Sequence, residues 1–149
     1  VLAKSTGVLE FTTGTYGQEI CVDSIIKGNE WIDENEACWI WRSYGMEVMD
    51  GQIVYRNVLN LMQDDGTYLV FLNSNQLNQY RTEKEFQTAS EYFGYLPIEG
   101  AKVQPIKENQ RNVLYKEWSE IPVFISSEKV AAAWNEIAEM LLNKFEPDA

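Results

Sequence analysis

The chain of 149 residues carries 23 Asp plus Glu against 12 Lys plus Arg, and no histidine, for a formal net charge of -11. An apolar fraction of 45%, with two cysteines, is not that of a disordered chain, a collagen or a disulfide scaffold. No stretch approaches the roughly 20 apolar residues of a membrane-spanning helix, and one domain over residues 1–149 is expected at this length.

Val1–Gly17 has no basic start followed by an apolar run, so no signal peptide is read there and a cytoplasmic protein is expected. Gly7–Thr13 and Glu19–Ile26 read as two strands separated by a turn at Gly14-Thr15-Tyr16-Gly17. That turn contains G-x-x-G but neither a third glycine nor a following Lys-Ser/Thr, so it is not a phosphate cradle. Lys27–Glu36 reads as an acidic loop or short helix.

Ala37 to Asn73 reads as a three-stranded antiparallel meander. Asp50-Gly51 between strand-like runs is a strong hairpin signal, because both central residues of a type I′ turn need positive φ. A second turn is placed at Asp64-Asp65-Gly66. Trp39 and Trp41 alternate onto one face of the first strand, which is expected to be irregular near Gly45. Ile53, Tyr55, Val58, Leu59 and Leu61 fill the second strand, and Tyr68, Val70 and Leu72 mark the third.

Two helices are expected next. Thr82-Glu83-Lys84-Glu85 has the form of a capping box, Phe86, Ala89 and Phe93 follow at helical spacing, and Gly94 suits an αL stop. The longer, C-terminal helix starts at Ser126 or Ser127 and ends before Pro147. Its apolar stripe is Val130, Trp134, Ile137, Leu141 and Phe145, with Ala133 and Ala138 beside it. Short strands are read at Val103–Ile106, Val113–Tyr115 and Pro122–Ile125. The sum is an α+β domain, an antiparallel sheet packed against two helices.

Without imidazole there is no Ser-His-Asp triad, no Cys-His pair and no His-ligated zinc or haem. Cys21 and Cys38 are not in a C-x-x-C and read as reduced, buried thiols, with a bridge between them as the alternative. No catalytic residue, metal site or cofactor is read from the sequence.

Carboxylates remain. Residues 1–50 hold nine acids and three bases, a net of -6, so the negative field is weighted to the start of the chain. Such a field repels nucleic acid and anionic membranes and steers in basic proteins. Glu30, Trp31, Asp33, Glu34 and Glu36 form an acidic patch with an aromatic anchor. Asp64 and Asp65 are turn residues that a partner can reach, and Trp118 in a polar segment suits an interface anchor. The expected function is a non-enzymatic acidic binding protein that holds or neutralises a basic partner, such as an immunity-type inhibitor of a bacterial toxin. The alternatives are a carboxylate-based hydrolase or small-ligand receptor with a sheet-helix cleft, and a structural subunit of a larger assembly.

Overall fold

A computed structural model describes residues 1–12, 15–43, 46–55, 59–75, 82–99, 113–114, 123–125 and 127–145. The strands are β1 (Leu2–Thr12), β2 (Thr15–Ser24), β3 (Ala37–Ser43), β4 (Met46–Met49), β5 (Gln52–Tyr55), β6 (Thr67–Val70), β7 (Leu72–Asn75), β8 (Lys84–Thr88), β9 (Tyr95–Pro97) and β10 (Val113–Leu114). Among the described residues there is one helix, α1 (Glu128–Lys144).

Seven strands form a mixed sheet in the order β7-β8-β3-β2-β1-β6-β9, which curls into a half-barrel. All its pairings are antiparallel except β3 with β8. A separate three-stranded sheet has the order β10-β5-β4.

The sheet's alternation is plain in β2. Tyr16, Gln18, Ile20 and Val22 are buried on the inner face, whereas Glu19, Cys21 and Asp23 are more exposed on the other. Ile20 is paired with Cys38, and Tyr16 with Arg42, so β3 turns Cys38, Ile40 and Arg42 inward as well. Ala3 of β1, Tyr68 and Val70 of β6, Phe86 of β8 and Tyr95 of β9 join the same core, closed by Ala131, Trp134 and Ala138 of α1.

Several expectations are corrected. The meander breaks at its third member: β6 pairs with β1 and β9, while β5 pairs with β4 and β10. The apolar run ending at Met62 does not extend the second strand. Leu59, Asn60, Leu61 and Met62 instead form a buried strap against the sheet's inner face. Gln18 holds it, donating through Nε2 to the Met62 carbonyl at 2.8 Å and accepting from the Met62 amide at 3.1 Å. The Asp50-Gly51 turn is observed as expected, with φ of 50° and 73° and Met49 paired with Gln52. Tyr44 and Gly45 lie outside the described residues.

The helix expected from Thr82 is absent, and its residues form β8. Thr82 Oγ1 bonds the Glu83 carboxylate at 3.4 Å and does not cap Glu85. Parallel pairing with β3 and burial of Phe86 outweigh a local cap worth about 1 kcal/mol. Gly94 serves a close approach: a Cβ there would lie 2.6 Å from Thr88 Cβ and 2.7 Å from the Ser90 carbonyl. The first turn is also shorter than expected, since Thr15–Gly17 belong to β2. Gly17 is needed where it stands, because its Cβ would lie 2.9 Å from the Trp41 ring.

Helix α1 starts as its sequence indicates. Ser127 is the N-cap, with its Oγ accepting from the Val130 amide at 3.4 Å. The buried stripe is rotated from the expected one, to Ala131, Trp134 and Ala138, leaving Val130 and Ile137 exposed. Small alanines let the helix approach closely, so that Trp134 stacks on Phe93 at 5.5 Å and donates through Nε1 to the Tyr92 carbonyl at 2.8 Å. Of the late strands, Val113–Leu114 are in β10 and Val123 forms a single bridge to Leu59. Residues 103–106 lie outside the described residues.

Candidate functional site

The acidic loop begins where β2 ends. Its backbone closes into a clasp: the Asn35 amide donates to the Val22 carbonyl at 2.7 Å, and the Val22 amide to the Glu36 carbonyl at 3.0 Å. Asn35 turns the chain with φ of 63°, a left-handed conformation that asparagine tolerates. The Trp31 amide donates to the Gly28 carbonyl at 3.1 Å, and Gly28 has φ of 92°. Ile32 anchors the loop in the core while its neighbour Trp31 stays 53% exposed.

The four acids divide by role. Glu36 Oε2 accepts from the Asp33 amide at 2.9 Å and pairs with Lys84 Nζ at 2.9 Å. Burial acts to raise its carboxyl, but the Asp33 amide and Lys84 outweigh burial and hold it below its ordinary value. Glu36 therefore ties the loop to β8. Glu34 Oε1 accepts a long bond from the Ile25 amide at 3.4 Å. Glu30 and Asp33 are exposed, and among the described residues neither they nor Glu34 pairs with a cation.

Trp31 borders a cleft of about 140 Å³, with Val1, Lys27, Gly28, Ile32, Leu72, Asn73 and Phe86. The lining exposes polar and apolar surface about equally, with Lys27 on it and no carboxylate. A carboxylate hydrolase would instead need two acids converging on its cleft. Among the described residues no three His, Cys, Asp or Glu side chains gather as a metal ion would require. No described helix is long and apolar enough to cross a membrane.

The remaining candidates are elsewhere. Asp64 Oδ1 accepts from Ser5 Oγ at 3.0 Å, and Ser5 Oγ in turn accepts from the Gly7 amide at 3.0 Å and Gln18 Nε2 at 3.1 Å. Asp64 thus holds an irregularity in β1, where Gly7 has φ of 81°. Asp65 is exposed in the adjoining turn. The acidic loop follows Ser24, which faces Leu2, whereas Asp64 meets β1 at Ser5–Gly7. Three to five residues of β1 span roughly 10–16 Å, so the two acidic groups form separate surfaces. Trp118 lies outside the described residues.

The tryptophan pair is buried more than offered. Trp39 and Trp41 stack at 5.9 Å on the face away from Ile40, and Trp39 is only 6% exposed. Cys21 and Cys38 are both free. Their registers, Cys21 with Ala37 and Cys38 with Ile20, put them on opposite faces of the sheet, which forbids a bridge. Burial first, then the charge of Glu36, pushes the Cys38 thiol up to about 12, so it is not a nucleophile at neutral pH.

Sequence patterning missed an inner polar network. Buried Arg42 donates from Nη1 to Tyr95 Oη at 3.3 Å and from Nη2 to the Glu91 carbonyl at 3.1 Å. Its guanidinium lies 5.5 Å from the Tyr95 ring centre, and Tyr95 Oη donates to the Asn60 carbonyl. Arg42 stands two residues after the core residue Ile40, and its inward alternation with Ile40 and Cys38 was the available signal. No family model matches the chain, and neither a curated protein nor a solved structure does.

Proposed function

We propose that the chain is a non-enzymatic binding protein that holds or neutralises a basic protein, in the manner of an immunity-type inhibitor acting on a toxin. One observation carries this reading: Trp31 stands half-exposed at the rim of a small cleft, in a loop whose acids Glu30, Asp33 and Glu34 have no cation among the described residues. Covering the exposed part of the indole is worth about 2–3 kcal/mol at ~25 cal/mol/Å². The surrounding acids supply steering and orientation more than affinity. Clasp bonds, Ile32 and the Glu36–Lys84 pair hold the loop in place before binding, which lowers the ordering cost.

The test is affinity capture from lysate of the source cells. Wild type is compared with the Glu30→Lys/Asp33→Lys/Glu34→Lys variant and with Trp31→Ala. A protein of high isoelectric point retained by wild type and lost from both variants supports the reading. Retention of the same protein by both variants contradicts it.

A further inference from the structure

The cleft beside Trp31 is graded from apolar to polar. Ile32 and Phe86, each 3% exposed, and half-buried Leu72 line its inner part, while Trp31, Lys27 and Asn73 stand exposed at its mouth. The indole is laid over bare backbone, since a Cβ on Gly28 would lie 3.7 Å from Trp31 Cδ1. No ion pair engages Lys27, Glu30 or Asp33 among the described residues.

Size and polarity together narrow the occupant. A cavity of about 150 Å³ holds one benzene ring, and this cleft measures about 140 Å³. A lysine or arginine head group seated there would meet Lys27 with like charge. An aliphatic side chain would press apolar surface on the Lys27 ammonium and offer it no acceptor. A free carboxylate would be opposed by Glu30, Asp33 and the net charge of -11. A six-membered ring that ends in a neutral hydroxyl meets each condition.

We propose that this cleft accepts one tyrosine side chain of the basic partner, with lysine or arginine beside that tyrosine in its sequence. The mouth is open at Trp31 and Lys27, so the ring lies across the cleft between the Trp31 indole and the inner apolar wall. The phenolic oxygen accepts from Lys27 Nζ, and the neighbouring cations meet Glu30 and Asp33. This assignment rests on the reading of the Trp31 loop as the contact surface for a basic protein, and it names the residue that the loop selects.

The first probe is 4-methylphenol, the tyrosine side chain alone, titrated into the labelled protein and followed by amide and methyl NMR shifts. The expected shifts are at the Trp31 indole N–H, the Gly28 amide and the Ile32 and Leu72 methyls. Toluene, which lacks the hydroxyl, is expected to bind about fivefold more weakly. Lys27→Met should erase that difference, and Trp31→Ala should weaken both ligands about tenfold. Both residues are exposed, and the amide spectrum of each variant reports its fold. The second probe is the tripeptide acetyl-Arg-Tyr-Arg-amide, expected to bind about tenfold tighter than its Glu-Tyr-Glu counterpart, a preference that Glu30→Lys/Asp33→Lys should reverse. Equal binding of 4-methylphenol and toluene, shifts confined to other segments, or indifference to the flanking charges would overturn the proposal. The phenol titration needs no basic partner, so its outcome is independent of the capture experiment. A basic protein retained by the loop acids while the cleft takes no phenol removes the tyrosine and leaves the Trp31 loop standing.

Discussion

The strap at Leu59–Met62 and the loop at Lys27–Glu36 are both irregular segments laid against the same sheet, yet they use polar side chains in opposite ways. Around the strap, Gln18, Arg42 and Tyr95 are turned inward and bonded to backbone carbonyls or amides. Around the loop, backbone bonds and Ile32 do the holding, and Glu30, Trp31 and Asp33 are left to solvent. A buried polar group without its partner costs about 1–3 kcal/mol, whereas an exposed one costs almost nothing. The strap's polar residues are therefore structural, and the loop's are available for contact.

That contrast can be broken by measuring stability. The largest loss is expected for Trp134→Ala, about 3–5 kcal/mol, because it removes the ring stacked on Phe93 and the bond to Tyr92. Chemical denaturation monitored by circular dichroism checks it. A loss below about 1 kcal/mol would mean that α1 does not close the core.

Gln18→Leu is expected to cost about 2 kcal/mol, since it strands the Met62 amide and carbonyl in the interior. Exchange of the Met62 amide should accelerate in that variant more than exchange in β7. A uniform change would deny Gln18 its specific role in the strap.

Glu36→Gln tests the loop side, with an expected loss of at most about 1 kcal/mol at neutral pH. The sign follows from the lowered carboxyl. Its contribution is present above its ordinary value of 4.5 and fades as pH falls through the lower value of the folded protein. The difference between wild type and variant should therefore shrink below pH 4.5, and a difference that grows there would contradict the Lys84 pairing.

The smallest effect is chemical. Cys21 is half-buried and Cys38 fully buried, with its thiol pushed up. Iodoacetamide at pH 8 should label Cys21 alone in the native protein and both thiols in denaturant. Native labelling of Cys38 at a comparable rate would contradict the inner face described for β3.

What the sequence made legible was local. Asp50-Gly51 and Ser127 specify their turn and cap through neighbours a few residues away, and both were readable. The Thr82–Glu85 signal was equally local, but Phe86 and Glu85 take their places beside Ile40 and Trp39, more than 40 positions earlier in the chain. Tertiary pairing outweighed the cap, and no period in the sequence carries that information. The α1 stripe was misplaced for a related reason: the face of closest approach is marked by small residues, not by the largest apolar ones.

For the site, composition found the acids but not their division. Glu36 and Asp64 resemble Glu30 and Asp65 in sequence, and only the positions of Lys84 and Ser5 make the first two structural. Trp31 was singled out from the sequence as the anchor of the patch, and the burial of its neighbour Ile32 shows how the loop holds it outward.

The central claim is that the exposed loop acids and Trp31 hold a basic protein while contributing little to the fold. Its most direct test is the affinity of the captured protein for wild type and for Glu30→Lys/Asp33→Lys/Glu34→Lys, each measured across salt concentrations. The account predicts that the variant keeps its stability within about 0.5 kcal/mol, binds at least a hundredfold more weakly, and loses the salt dependence seen with wild type. Undiminished binding with the same salt dependence would contradict it.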